Sequence, residues 1–527
     1  MIALRRIPRP HVLTIAAGSL AACGFQPLGL WPLTLAALAW LIHRLYVVKT
    51  WRQALLTGWL FGLGHFTVGN SWIATAFTYQ AEMPAWLGWI AVVALALYLA
   101  VFPALATLGG WWLANTRRAI LLPAFAASWI VAEWLRSWLF SGFAWNPLAM
   151  VTLGEFHRPG LALLSQWTGT YALSGFVVLL GGWWLFALRA WKNGRRKSAA
   201  SYALGPALLM VLPLHGDLRE GTLPFTLVQP DIRQELLNDP ANYENQFRQT
   251  AALSLARQPG TRRIVLWPES GVPDLLREGY PAFWYEELTF AADPVQARTR
   301  IGRVVGPGSL LLTGTTDLEM RGRTVVGAWN VVTAIDGSGA IRGSYAKAHL
   351  VPYGEYLPAR WLLEPLGLSR LVAGSLDFFA GPGPRTVDFG TYDKGGWGKA
   401  GFQICYEIIF SGQVADRAHR PDYIFNPSND GWFGAWGPPQ HLAQARMRAI
   451  EEGLPVLRST TTGISAVIDA DGVVRQFVPP HRAGRLDGKV PPAHAPTLFA
   501  RTGNALVLVW AVVLLGIALV ASATRKR

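Results

Sequence analysis

Eight apolar segments, each close to the length of a bilayer crossing, constrain this chain more than any other feature of its sequence. The hydrocarbon core of a membrane is about 30 Å thick, and an α-helix needs roughly 20 apolar residues to cross it. The segments cover residues 11–28, 30–48, 53–77, 85–115, 119–140, 161–188, 202–216 and 504–523. The sequence therefore predicts an α-helical transmembrane bundle of about eight spans, of which the seventh is the shortest.

Basic residues flank these segments and predict which way they cross the membrane. The chain carries 47 Lys and Arg against 32 Asp and Glu, a net charge of +15. Its basic clusters, such as residues 189–197, adjoin apolar segments, which is typical of a topology signal and not of a nucleic-acid surface. With the amino terminus in the cytoplasm, seven crossings place the long segment from about 220 to 500 on the opposite face. If the seventh segment does not cross the membrane, the segment from about 220 to 500 lies on the cytoplasmic side instead.

The amino terminus allows a second interpretation. Arg5, Arg6 and Arg9 precede a short apolar run that ends at Cys23, which resembles a lipoprotein signal whose cysteine is lipidated after cleavage. We favour a first transmembrane span, because further spans follow at once and the basic cluster is needed for the orientation above.

An ionisable pair stands inside the fifth apolar segment. Glu133 and Arg136 are three residues apart, on one face of a helix. Ionisable residues within a membrane helix are functional candidates by default. The alternative is a pair that neutralises itself and fixes helix packing, and the sequence leaves both interpretations open.

Between about 222 and 495 the pattern changes to short β-branched or apolar runs separated by turns and amphipathic helices. We predict a mixed sheet flanked by helices, in one domain of about 270 residues. The chain then divides into a transmembrane domain, an α/β domain, and a final span with a cytoplasmic tail, at residues 1–221, 222–495 and 496–527. Runs that predict strands cover residues 222–229, 262–268, 309–315, 328–336, 398–405, 421–429 and 465–469.

Three residues able to do chemistry together lie at the ends of predicted strands. Glu269 follows a strand in LWPESGVP, Lys347 follows the strand GAIRGSYA, and Cys405 ends the strand GFQIC. A carboxylate and an ammonium can set the charge state of one thiol and so make it a nucleophile. A lone cysteine is more often a small buried hydrophobe, so the prediction depends on the three residues converging in space.

The cysteines predict neither a disulfide framework nor a metal site. Only Cys23 and Cys405 are present, far apart in the sequence, and the chain has no CxxC or HExxH motif and no histidine cluster. We therefore expect no metal and no cofactor.

The motifs LWPES, YAKAHLVPYGEYLP and ICYE, in this order, resemble the carbon-nitrogen hydrolase (nitrilase) superfamily, whose Glu-Lys-Cys triad sits on an αββα sandwich. More narrowly, HLVPYGEYLP, residues 426–451, SGFAWNP and LFARTGN resemble the apolipoprotein N-acyltransferase family of bacterial enzymes. The resemblance covers nearly the whole chain. It implies that Cys405 is the nucleophile, Glu269 the general base and Lys347 the third member of the triad.

By motif position the resemblance also implies supporting roles for Glu355, Tyr406 and Glu407. It departs at Asn238, where the family commonly carries Trp, and this puts substrate gripping by that loop in doubt. Several apolar residues near these motifs are interpreted either as facing lipid or as ordinary packing, namely Trp432, Phe433, Trp436, Leu362 and Leu363.

The resemblance implies transfer of a fatty acyl chain from a phospholipid, through a thioester on Cys405, to an apolipoprotein. The acceptor would be the α-amino group of the apolipoprotein's N-terminal diacylglyceryl-cysteine. The enzyme would lie in the bacterial inner membrane, with its catalytic domain on the periplasmic side. One alternative is a membrane-tethered amidase or nitrilase that hydrolyses a small amide. Another is a binding protein with a decayed domain, which we disfavour because no triad member is missing.

Overall fold

The computed structural model describes residues 9–79, 84–214, 216, 219–237, 239–258, 260–363, 365 and 377–524. The chain forms two compact units. The first comprises Met1–Thr75, Pro84–His215 and Pro496–Arg527, and the second comprises Ala76–Met83 and Gly216–Ala495.

The first unit is helical. Most of its helices lie in the apolar segments that the sequence singles out. They are α1 (Arg9–Ala22), α2 (Trp31–Val47), α3 (Trp51–Gly69), α4 (Ile73–Ala76), α5 (Trp86–Leu99), α6 (Val101–Leu113), α7 (Leu121–Arg136), α8 (Ser165–Thr168), α9 (Thr170–Lys192) and α10 (Arg196–Met210), with α17 (Leu498–Thr502) and α18 (Asn504–Thr524) at the carboxyl end.

Among the described residues, three helical stretches are long and apolar enough to cross a membrane by themselves. They are Trp86–Leu113, Arg118–Arg136 and Thr170–Lys192, and Asn504–Val520 is a shorter apolar helix. The helical character of this unit is confirmed, but the predicted number of eight spans is not. Helices occupy all eight predicted segments, but within the described residues the remaining ones do not combine the length and hydropathy of a crossing. Helix α10, for example, has 15 residues.

Close backbone contact holds α1 against α3. A Cβ atom added at Gly18 would lie 1.9 Å from the Phe61 carbonyl oxygen, and one at Gly64 would lie 2.1 Å from the Ile15 carbonyl oxygen. Small residues at helix interfaces are typical of membrane bundles, where packing and not water drives association. Large apolar side chains meanwhile point outward, as Leu208 and Val512 do at 63% and 68% exposure, which is expected of a surface covered by lipid.

The second unit contains two six-stranded mixed sheets. Their strand orders are β12-β1-β2-β3-β4-β5 and β11-β10-β9-β8-β7-β6. The strands are β1 (Pro224–Gln229), β2 (Ile264–Leu266), β3 (Leu310–Arg321), β4 (Thr324–Asp336), β5 (Ile341–Ala346), β6 (Thr386–Asp388), β7 (Lys399–Phe402), β8 (Tyr423–Ser428), β9 (Val456–Thr460), β10 (Ser465–Ile468), β11 (Val474–Val478) and β12 (Gly484–Lys489).

Alternation along the strands creates a layered αββα sandwich. Successive side chains of a strand point to opposite faces, so Leu266 joins the apolar core that also contains Phe402 and Phe425 of the other sheet. Val265, one residue earlier, instead packs with Ile301 of an outer helix. The nitrilase-like fold expected from the resemblance is therefore confirmed. The helices of this unit are α11 (Gln234–Leu237), α12 (Tyr243–Ser254), α13 (Ala282–Leu288), α14 (Pro294–Val305), α15 (Arg360–Leu363) and α16 (Gly437–Glu452).

Candidate active site

Cys405 sits at the abrupt end of a buried strand. Strand β7 ends at Phe402, and Cys405 opens the single-turn 3₁₀ helix Cys405–Ile409. Its φ of +49° lies in the left-handed region, which residues with a Cβ rarely adopt. Such a conformation costs about 1–3 kcal/mol and persists only where the surroundings enforce it. The cysteine is 5% exposed, so the strained turn presents a nearly buried thiol.

Glu269 follows β2 and reaches the same place from the other sheet. Its Oε1 is 3.5 Å from the Lys347 Nζ and accepts a 2.8 Å hydrogen bond from the Asn330 side-chain amide. Its Oε2 accepts a 2.9 Å hydrogen bond from the backbone N–H of Asn429, just beyond β8. Both oxygens of this carboxylate are therefore held in fixed directions.

Lys347 directly follows β5, and its side chain is 2% exposed. Its Nζ lies 2.9 Å from Glu355 Oε1, closer than to Glu269. Burial disfavours the ammonium, but the neighbouring Glu355 and Glu269 outweigh burial and raise the pKa of Lys347 above its ordinary value. Lys347 therefore carries a fixed positive charge beside the thiol.

The thiol itself is neutral at rest. Burial and then the charge of Glu269 raise the pKa of Cys405 well above its ordinary value. Lys347 and a hydrogen bond from the Asn429 backbone N–H act in the opposite direction without offsetting them. The structure therefore brings Glu269, Lys347 and Cys405 together, as the sequence predicts: Glu269 lies 3.5 Å from Lys347, and the charges of both act on Cys405. Because the thiol is neutral at rest, a base must remove its proton before attack.

Asn330 completes the polar cluster and is absent from the residues predicted by sequence. It lies in β4, and its side-chain amide donates to Glu269 Oε1 at 2.8 Å and to Glu355 Oε1 at 2.9 Å. Its backbone carbonyl also accepts a 2.9 Å hydrogen bond from the Lys347 N–H. The sequence signal that could have identified Asn330 is its side-chain amide between the apolar residues of AWNVV, at the start of the predicted strand AWNVVTAID.

Of the three supporting residues, Glu355 is the one in direct contact with the cluster. Its Oε1 accepts from both Lys347 and Asn330, and its Oε2 accepts a 2.8 Å hydrogen bond from the Val351 N–H. The loop that carries Glu355 is therefore tied back onto itself and onto the lysine.

Glu407 joins the segments that carry the lysine and the cysteine. Its Oε2 accepts a 2.7 Å hydrogen bond from the Ile404 N–H, just before Cys405. Its Oε1 accepts bonds from the Tyr345 hydroxyl at 2.8 Å and the Ala348 N–H at 2.7 Å, on either side of Lys347. Burial raises the pKa of Glu407 to about 7, although these hydrogen bonds oppose the rise. Glu407 thus acts on the positions of two site residues.

Ring packing is observed at Tyr406, Phe433 and Trp432. The Tyr406 ring stacks edge-on against Phe410, with centroids 5.2 Å apart. Phe433 packs on the core between the sheets, and the half-exposed Trp432 meets the ring of Tyr79 at 5.7 Å. Asn238 and the side chains of Leu362 and Leu363 lie outside the described residues.

Glu133 and Arg136 hold a loop of the first unit. Glu133 Oε1 accepts hydrogen bonds from the Trp129 indole at 3.0 Å and from the Leu148 N–H at 2.8 Å. Arg136 donates to the carbonyl oxygens of Phe143 and Trp145, at 3.1 and 2.8 Å. The pair therefore fixes the segment that contains the SGFAWNP motif.

Among the described residues, no group of three or more His, Cys, Asp or Glu side chains is arranged to hold a metal ion.

The layered sheets and a match of the carbon-nitrogen hydrolase family to residues 240–486 define the second unit as a carbon-nitrogen hydrolase domain. The apolipoprotein N-acyltransferase N-terminal domain family matches residues 17–183. The apolipoprotein N-acyltransferase of Bradyrhizobium diazoefficiens is 36% identical over 96% of this chain and 94% of the relative. That of Rhodopseudomonas palustris is 32% identical over the same shares. The chain belongs to the apolipoprotein N-acyltransferase family.

Among solved structures, Saccharomyces cerevisiae Nit3, a member of branch 10 of the nitrilase superfamily, is similar over 51% of this chain and 90% of that chain. The identity is 16% and the TM-score 0.34. The expected family and enzyme class are thus confirmed by the curated relatives, which favour an acyltransferase over the amidase alternative.

Proposed function

We propose that this enzyme moves a fatty acyl chain from a membrane phospholipid to the α-amino group of an apolipoprotein's N-terminal diacylglyceryl-cysteine, through a thioester on Cys405. The observation that carries the proposal is the convergence of Glu269, Lys347 and Cys405 at strand ends of the hydrolase domain. No metal or cofactor takes part in the proposed steps.

In the first half-reaction, Glu269 takes the thiol proton and the sulfur of Cys405 attacks the ester carbonyl of the phospholipid. The C–O bond of the ester breaks, and Glu269 returns the proton to the departing oxygen, which leaves as a lysophospholipid. Lys347 stabilises first the thiolate and then the oxyanion, because its ammonium charge is fixed by its carboxylate neighbours.

In the second half-reaction, the amine of the diacylglyceryl-cysteine attacks the thioester carbonyl. An amide C–N bond forms, the C–S bond breaks, and the amine's proton passes through Glu269 to the sulfur. The scheme is ping-pong, since the first product leaves before the second substrate reacts. Burial of Cys405, which is 5% exposed, limits access of water to the thioester.

A phospholipid-only incubation separates transfer from hydrolysis. We expect intact-mass analysis to show a stable acyl adduct on Cys405, and added diacylglyceryl peptide to discharge it into an amide. Cys405→Ala should form no adduct, whereas Cys23→Ala should behave as wild type, because Cys23 is the chain's other free cysteine. Rapid release of free fatty acid without peptide, or an adduct on Cys405→Ala, would contradict the proposal.

We further propose that all eight apolar segments span the bacterial inner membrane, with a transmembrane domain at 1–221, a periplasmic catalytic domain at 222–495 and a final span at 496–527. The side of the membrane on which the catalytic domain lies depends on whether helix α10 crosses the membrane. The 15 residues of α10 extend only about 22 Å. Its exposed Leu204 and Leu208 support a lipid environment.

Impermeant maleimide applied to spheroplasts tests this arrangement. In a background without Cys23 and Cys405, exposed Asp393→Cys should be labelled from outside, and exposed Asn193→Cys only after lysis. The reverse pattern would refute the proposed side.

A further inference from the structure

A buried histidine holds the backbone carbonyl of the proposed nucleophile. His441 lies on α16, and its Nε2 is 3.0 Å from the Cys405 carbonyl oxygen. Because a carbonyl can only accept, Nε2 must carry the hydrogen and donate it. This contact connects helix α16 directly to Cys405, whose backbone is in the left-handed region.

The other ring nitrogen of His441 is held by an ion pair. Asp430 Oδ1 lies 2.9 Å and Arg458 Nη2 3.0 Å from His441 Nδ1. Arg458 in turn donates to both Asp430 oxygens, at 2.8 and 2.7 Å. The side chains of His441, Asp430 and Arg458 have no exposed surface, so this network fixes the imidazole on both sides.

The network is rooted in the sheet next to the site. Arg458 on β9 also donates to Asn426 and Ser428 of β8, at 2.5 and 2.9 Å. One residue beyond Ser428, the Asn429 N–H bonds the Glu269 carboxylate at 2.9 Å. The same short stretch of chain therefore supports the base and, through His441, the nucleophile.

Holding the carbonyl of Cys405 also fixes the N–H that follows it. A trans peptide is planar, so the Cys405 C=O and the Tyr406 N–H lie in one plane and point in opposite directions. The N–H after a nucleophile is placed where it can donate to the oxyanion of an acyl-transfer intermediate. A rotation of this peptide would move both the thiol and that donor.

We propose that His441, backed by Asp430 and Arg458, is a positioning residue that keeps Cys405 and the Tyr406 N–H in the geometry required for acyl transfer. This inference rests on the proposed role of Cys405 as the nucleophile. His441 touches no substrate in this scheme and exchanges no proton with it.

Two amide substitutions separate the two nitrogens of the ring. The amide nitrogen of His441→Gln falls near the place of Nε2 and can still donate to the Cys405 carbonyl. The shorter side chain of His441→Asn reaches only the place of Nδ1, beside Asp430 and Arg458. Both variants are of similar polarity, so each controls for the other's effect on folding.

The test measures single-turnover acylation of Cys405 by phospholipid, together with the apparent KM for phospholipid and the Tm. We expect His441→Asn to acylate at least tenfold more slowly, and His441→Gln to remain within about threefold of wild type. KM and Tm should be similar in the two variants. Wild-type acylation by His441→Asn, or equal losses in both variants, would overturn the inference.

If His441→Asn does not fold, His441→Leu replaces it, since leucine fills the site without a donor. Wild-type acylation by that variant also refutes the role. The outcome for the proposed function is read separately, because an acyl adduct on Cys405→Ala would refute the nucleophile itself whatever the histidine variants do.

Discussion

Replacing Glu355 by glutamine tests whether the second carboxylate keeps Lys347 away from the base. Lys347 Nζ lies 2.9 Å from Glu355 and 3.5 Å from Glu269. Without the charge at 355, the ammonium is free to move onto Glu269. A carboxylate in closer contact with a cation is a weaker base, so proton removal from Cys405 should slow.

The size of the effect follows from these distances. With an effective dielectric constant of about 20, unit charges attract by about 5 kcal/mol at the longer separation and about 6 kcal/mol at the shorter. Glu269 would then be more stable as a carboxylate by about 1 kcal/mol, which slows proton removal roughly fivefold. Glutamine keeps a side-chain oxygen that accepts hydrogen bonds, so toward Lys347 this variant removes the charge alone. We therefore expect acylation of Glu355→Gln to fall roughly fivefold.

The assay is single-turnover acylation from phospholipid, followed by intact mass, with Tm measured in the same detergent. Glu278→Gln is the matched control, because Glu278 is 66% exposed and pairs with Arg298 at 2.7 Å. Folded Glu355→Gln with undiminished acylation would refute the reasoning. Glu355→Ala also removes the hydrogen-bond acceptor, worth about 1.5–3 kcal/mol more, and should lose turnover by roughly 50-fold or more while remaining folded.

Three further changes test other parts of the structure. Asn330→Ala removes two hydrogen bonds to carboxylates and should slow acylation at least tenfold; an unchanged rate would contradict its role. Burial, then Glu451, raises the pKa of Glu452 to about 7. Folding is therefore favoured by its protonation, and stability should fall by up to about 3 kcal/mol between pH 4.5 and 7; Glu452→Gln should lose that dependence in Tm against pH. Gly64→Ala should lower stability by about 1–3 kcal/mol in detergent, whereas Gly516→Ala, with open space around it, should not.

The sequence identified the strand ends that carry the cluster because Glu269 follows the run RRIVLWP, Cys405 ends the run GFQIC and Lys347 follows the strand GAIRGSYA. Strand β9 was harder to predict, since VLRST holds a buried arginine and two buried hydroxyl residues instead of an apolar alternation. Its polar side chains are satisfied by partners far along the chain, such as Ser459 donating to the Val228 carbonyl at 2.7 Å. Such pairings depend on how the two sheets stack, which local pattern does not encode.

The same limit applies to Asn330 and His441. Each of them gains its role only when a residue of another element comes into contact with it. Asn330 meets Glu269 across 61 positions, and His441 meets Cys405 across 36. The number of membrane spans is hard to predict for a different reason. Hydropathy locates the helices, but a 15-residue helix such as α10 is shorter than a bilayer crossing requires.

The electrostatics of the thiol bear on how a thioester enzyme survives between its two substrates. A permanently ionised thiolate would react with any electrophile, but burial and Glu269 keep Cys405 protonated at rest. The charge needed for attack is instead stored on Lys347, whose ammonium is held by two carboxylates. In the proposed mechanism, proton transfer to Glu269 creates the thiolate beside that ammonium, where it is stabilised as it forms. The left-handed backbone at Cys405 adds a local constraint on where its sulfur lies.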